Sequence, residues 1–203
     1  MFGRRRRRQE ALRREEAAER LETAERQRII EEEQAREGEL SELRGRASDA
    51  CSRADALRAA GEPESAVASY DQAIEIFNDV AGRQSSGYNL AWGLQRIACA
   101  SMSGKGEALR ELGRPEEAVT SFDEAEQFRS AMEEQWGEED GVSRGLAAEA
   151  VLGKARALAD MRKFASAIRC CDDVLTASNW RWAKMPDGIE QRARDLRREL
   201  DAL

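Results

Sequence analysis

The residues with the most chemical potential in this 203-residue chain are four cysteines, Cys51, Cys99, Cys170 and Cys171, because the sequence contains no histidine. Thiolates act as metal ligands or nucleophiles when paired with each other, with a base or with imidazole. Here there is no CxxC spacing and no imidazole to complete a site. Each cysteine lies among small or apolar residues, where a free thiol packs as a small hydrophobe. Cys170 and Cys171 are adjacent, but side chains one residue apart on a helix diverge by about 100°, which disfavours a bridge. Gly104-Lys105-Gly106 is too short to be a phosphate loop, since no strand-like glycine run or following Ser/Thr accompanies it. Glu138, Glu139 and Asp140 lack the alternating oxygen ligands of a calcium loop and read as a solvated acidic loop. No acid, base or nucleophile forms a recognisable constellation. The expectation is a non-enzyme with no cofactor, no metal and no small-molecule substrate. Free thiols point to a reducing, cytoplasmic setting.

Charge is the next signal. The formal net charge is -7, but its distribution is uneven. Residues 1–8 carry +5 through Arg4, Arg5, Arg6, Arg7 and Arg8, whereas residues 9–46 carry eight Arg against twelve Glu. The rest of the chain is acidic. A like-charge block of this kind is expected to be a disordered, solvated tip. It could alternatively contact an anionic membrane surface or nucleic acid, where each arginine contributes about 1 kcal/mol near the surface. The acidic body behind it works against broad nucleic-acid affinity. No apolar h-region follows the run, so a secretory signal is not expected. No stretch approaches the ~18 apolar residues of a membrane span.

These residues must be carried by helices. Charged residues make up 36% of the chain, aromatics only 5%, and there are three prolines, a composition that favours helix over strand. Residues 9–46 predict one long charged helix. Glu10–Arg14, Glu16–Arg20, Glu22–Arg26, Glu32–Arg36 and Glu42–Arg46 are all Glu-before-Arg pairs at i, i+4, each contributing about 0.2–0.5 kcal/mol. Leu12, Leu21, Ile29, Ile30, Leu40 and Leu43 are too sparsely placed for a sustained heptad, so a coiled coil is not assigned. At 1.5 Å per residue this helix would reach nearly ~60 Å and serve as a spacer.

From Ala47 the pattern becomes small and apolar, and it repeats. Gly61-Glu62-Pro63-Glu64-Ser65-Ala66-Val67-Ala68-Ser69-Tyr70-Asp71-Gln72-Ala73 aligns with Gly113-Arg114-Pro115-Glu116-Glu117-Ala118-Val119-Thr120-Ser121-Phe122-Asp123-Glu124-Ala125 at an offset of 52. A weaker copy, Met161 to Asp172, lies 49 further on, with Ala167 and Asp172 in register. In each of the first two copies a glycine can end one helix in the left-handed conformation, and a proline can occupy the first turn of the next. Breaker residues at Gly82–Gly87 and Gly137–Gly145 separate the pairs. Six helices are predicted, at 47–60, 63–81, 87–112, 115–136, 143–161 and 164–178.

The copies resemble the tetratricopeptide repeat (TPR) family. Its paired small residues at a close helix crossing fall on Ala54/Ala66, Gly106/Ala118 and Ala155/Ala167. Its large residue falls on Leu57, Leu109 and Leu158. Its second-helix aromatic falls on Tyr70 and Phe122, with Cys171 in the third copy. The steps of 52 and 49 exceed the family's period of about 34, and Asn78, Ser130 and Asn179 stand where a closing proline is expected, so the helices should run on. The resemblance implies a fold and a use. The fold would be all-α, a short TPR-like α-solenoid of antiparallel helix pairs with a long charged N-terminal helix and a C-terminal capping helix. Its parts would be a basic tip at 1–8, a charged helix at 9–46, three helix pairs at 47–179, and a linker with a capping helix at 180–203.

The use would be a protein-interaction adaptor, holding a peptide or partner helix in a concave groove lined by the first helix of each pair. Carried over, the groove contains Ser48, Cys51, Ser52, Asp55 and Arg58, then Ser103, Glu107, Arg110 and Glu111, then Leu152, Arg156 and Asp160. Asp55, Arg58, Glu107, Arg110, Glu111, Arg156 and Asp160 are the candidate contacts. The Lys and Asn set that clamps a terminal carboxylate in chaperone-binding relatives is missing. Arg58, Arg110 and Arg156 could hold a carboxylate-bearing partner by bidentate contacts, or be neutralised by their acidic neighbours. A tethering protein or self-associating scaffold is the alternative. At the C-terminus, Trp180 and Trp182 flank Arg181, and Pro186-Asp187 begin a last helix. Its apolar stripe is Ile189, Ala193, Leu196, Leu200 and Leu203, as a cap requires.

Overall fold

The computed structural model describes residues 2–83, 91–136, 141–177 and 188–203, with side chains described for 13–14, 16–81, 93–128, 145–176 and 188–203. Among them are seven helices and no strands: α1 (Phe2–Ala59), α2 (Pro63–Arg83), α3 (Ala91–Glu111), α4 (Pro115–Trp136), α5 (Gly141–Asp160), α6 (Phe164–Ala177) and α7 (Ile189–Asp201). The six predicted helices are all present. α1 begins at Phe2, so the backbone of Arg4 to Arg8 is helical where a disordered tip was expected. α5 begins at Gly141, inside the stretch read as a connection. The acidic residues Glu138 to Asp140, the tryptophans Trp180 and Trp182, and Pro186-Asp187 lie outside the described residues.

Residues 1–42 form one compact unit and residues 43–203 the other. In the first, ion pairs along the helix replace a core. Glu22 Oε1 accepts from Arg26 at 2.6 Å, and Arg28 pairs with Glu32 at 3.3 Å, all four side chains being largely exposed. Leu21, Ile29 and Ile30 are exposed. Such a helix is polar all round and is stabilised by its i, i+4 pairs, with no apolar stripe.

The second unit is built of helix pairs. Each pair turns through the same hydrogen-bond motif. The Gly61 N–H donates to Arg58 O and the Glu62 N–H to Leu57 O; the Gly113 and Arg114 N–H groups repeat this onto Arg110 O and Leu109 O. Gly61 and Gly113 have φ of 79° and 71°, the left-handed conformation this turn requires. At the third turn the N–H groups of Arg162 and Lys163 reach Ala159 O and Leu158 O, and Arg162 holds φ 57° without being glycine. That conformation costs an L-residue roughly 1–2 kcal/mol.

The crossing residues are fully buried: Ala54, Ala66, Ala118, Ala155 and Ala167 are all at 0% exposure. A side chain on Gly106 would meet the Phe122 ring, its Cβ falling 2.7 Å from Cζ. Successive pairs then join through a second contact. Tyr70 of α2 lies against Gly104 of α3, and Phe122 of α4 against Gly153 of α5; a methyl group on either glycine would fall inside the ring. Beside each ring an ion pair closes the joint, Asp71 with Lys105 at 2.7 Å and Asp123 with Lys154 at 2.5 Å. Phe77 and Phe128 add an edge-to-face contact with centroids 4.8 Å apart.

α7 closes the series. Ile189, Ala193 and Leu200 are buried in one cluster with Leu152, Ala167, Cys171 and Val174, and Leu196 packs against it. Arg197 pairs with Asp172 at 2.6 Å, the third use of the same acidic position, and Arg192 makes a two-pronged contact with Glu149. Leu203 departs from the predicted stripe. It lies beyond the helix end and is 82% exposed.

Candidate interaction face on the first helices of the pairs

The C-terminal turns of α1, α3 and α5 present the candidate groove residues side by side. Arg58 reaches from α1 to Glu111 of α3 at 3.2 Å. On α3, Arg110 donates to Glu107 of its own helix at 3.1 Å and to Asp160 of α5 at 3.3 Å. Arg156 of α5 returns to Glu107 at 3.3 Å. Six of the seven charged candidates thus pair across three helices, Arg58 with Glu111 and, as a separate ladder of alternating sign, Arg156, Glu107, Arg110 and Asp160. The seventh, Asp55, accepts a short hydrogen bond from the Tyr70 hydroxyl. Burial, with that carboxylate as second cause, pushes the Tyr70 hydroxyl's pKa well above its ordinary value.

These ion pairs are partly exposed: the Arg58, Arg110 and Arg156 side chains retain 34%, 28% and 34% of their accessible surface. Burial alone would lower the Arg110 pKa, but Glu107 and Asp160 outweigh it and the guanidinium is held more firmly charged. Ion pairs this exposed are each worth no more than about 1 kcal/mol. The ladder can therefore be opened by a competing carboxylate or guanidinium at small cost, and it cannot act as a set of free cations.

Leu152 does not line this face. It is fully buried in the cluster between α5, α6 and α7, because its apolar side chain serves the core there. Ser103 is half-buried, its hydroxyl donating to Cys99 O at 3.0 Å. The cysteines are free thiols: Cys99, Cys170 and Cys171 are buried, and Cys51 is half-buried. Burial pushes the Cys51 and Cys170 thiols up and takes Cys171 to about 11. Raised thiol pKa values are the reverse of a nucleophile's environment. Among the described residues no group of three or more Cys, Asp or Glu side chains could hold a metal, and no helix is long and apolar enough to cross a membrane.

Two residues that position this face are not evident from the repeat alignment, the ring seats Gly104 and Gly153. Each is followed by the lysine of the joint, so the dipeptides Gly104-Lys105 and Gly153-Lys154 recur at the 49-residue offset. That recurrence, beside Tyr70-Asp71 and Phe122-Asp123, was the available signal.

The family model for the tetratricopeptide repeat matches residues 50–79, spanning the end of α1 and most of α2. Among curated proteins none matches the chain. Among solved structures, a TPR-like protein from Chlorobium tepidum TLS is similar, with a TM-score of 0.57 and 23% identity, over 80% of this chain and 98% of that one. Residues 50–79 thus match the tetratricopeptide repeat model, and the fold is similar to that of a TPR-like protein.

Proposed function

We propose that the protein is a non-catalytic interaction adaptor that binds a peptide or partner helix on the face shared by α1, α3 and α5. The observation that carries this reading is the partly exposed row of ion pairs on that face, Arg58–Glu111 beside the Arg156–Glu107–Arg110–Asp160 ladder. An alternating ladder suits a partner whose own charges alternate, because each incoming group can replace an intramolecular partner of the same sign. A lone terminal carboxylate would have to displace an acid from every arginine and leave that acid unpaired. The test is affinity capture with mass spectrometry, using the wild type and an Arg58→Ala, Arg110→Ala, Arg156→Ala variant. The reading expects a defined partner set that the variant loses. Partners retained in full would refute it.

A second reading, tethering to an anionic membrane or nucleic acid, is favoured by one feature: five consecutive arginines lie in the first turns of α1. Deleting residues 1–8 should abolish binding to anionic vesicles or DNA. If neither is bound before the deletion, the tethering reading fails.

A further inference from the structure

Two glycines of α1 stand where the packing does not ask for them. Other glycines of the chain have a visible reason to be glycine. Gly61, Gly113 and Gly188 hold φ of 79°, 71° and 88°. A side chain on Gly104, Gly106 or Gly153 would enter the ring of Tyr70 or Phe122, and one on Gly93 would meet the Arg44 side chain of α1. Gly38 and Gly45 share neither reason. Both lie inside the helix without a positive φ, and a Cβ on either meets nothing among the described residues within 4 Å. Alanine would fit at both positions and would favour the helix about four- to fivefold at each, because glycine gives up the most backbone freedom on becoming helical.

The two glycines bracket the place where α1 changes its means of support. The boundary between the compact units falls between Glu42 and Leu43. On its C-terminal side, the Arg44 side chain lies over Gly93 of α3, and Ala47, Ala50 and Ala54 are buried. On its N-terminal side, the helix carries ion pairs of its own, Glu22–Arg26 and Arg28–Glu32. Residues 38–45 between these supports read Gly-Glu-Leu-Ser-Glu-Leu-Arg-Gly, with Ser41 a further weak helix former.

We infer that α1 is jointed at residues 38–45, where the helix opens locally and lets the charged segment before it change direction. The charged segment is then a jointed arm and not a rigid spacer. This joint is separate from the charged face of α1, α3 and α5 and stands or falls independently of it.

The test is hydrogen exchange on the full chain, read as protection factors along α1. A joint predicts a dip over residues 38–45, with higher protection on both sides, over 20–36 and over 47–58. Gly38→Ala, Gly45→Ala should raise protection within the dip by about twentyfold, the product of the two substitutions, and leave the amides of α3 and α5 unchanged. Both substitutions fall on open helix positions where alanine meets no neighbour, so the variant keeps its fold. A profile without a dip at 38–45, whether level or falling steadily from residue 47 toward residue 2, would overturn the joint. So would a dip that the two alanines leave unfilled.

Discussion

Two sets of ion pairs cross between the helices of residues 43–203, and they differ in what lies beneath them. Asp71–Lys105 and Asp123–Lys154 each close over an aromatic ring seated on glycine. Burial alone would lower the Lys154 pKa, but Asp123 and Glu126 raise it, so the cation is held in place. The ion pairs from Arg58 to Arg156 link α1, α3 and α5 at their C-terminal turns and lie at the edges of those rings, Arg58 by the Tyr70 hydroxyl and Glu107 by Phe122 at Gly153. The first set guards packing that the fold depends on. The second lies on the surface we propose for partner binding. Similar ion pairs therefore have different consequences when broken.

The largest effect should come from the joint. Phe122→Ala removes a ring at 1% exposure that touches Gly106 and Gly153, and should cost about 3–5 kcal/mol in urea unfolding. Gly153→Val attacks the same contact by overfilling it. About 1–3 kcal/mol is expected, partly recovered in a Phe122→Leu background. Lys154→Ala tests the ion pair over the ring, and about 1 kcal/mol or less should be lost, since Asp123 is 40% exposed.

The third joint has Cys171 at the place of the ring, buried in the cluster against which Leu196 packs. Its test is pH. The folded Cys171 thiol ionises near 11 against an ordinary 9.0, so between those values the unfolded chain has lost a proton that the folded chain keeps. Stability should fall as pH rises from about 9 to 11, and Cys171→Ala should flatten that slope in pH-dependent melts. At the turn the sign reverses: Arg162→Gly relieves a left-handed residue and should raise stability by about 1 kcal/mol.

Much of this architecture was readable from residue types. Gly61-x-Pro63 and Gly113-x-Pro115 announce two turns outright, and Ala167 and Asp172 carry the register into the third despite Arg162. Helical spacing put the charged candidates near one another at the C-terminal turns of α1, α3 and α5, because it fixes which residues share a side. Their pairing was not readable, since Arg110–Asp160 depends on the separation of α3 from α5, which no single helix encodes. Leu152 went astray for a related reason. It has the register of a surface position, but the packing of α6 and α7 against α5 buries it. The cap was legible through Ile189, Ala193, Leu196 and Leu200, and the stripe failed only at Leu203, where the helix had ended.

The contrast between joint and ladder is tested most directly by measuring one variant twice. Arg58→Ala, Arg110→Ala, Arg156→Ala should stay folded, with a melting point lowered by no more than about 10 °C because exposed pairs contribute at most about 1 kcal/mol each, while losing the partners that wild type captures. A variant that melts like wild type and keeps every partner, or one that unfolds outright, would contradict the assignment of the α1–α3–α5 face to partner binding.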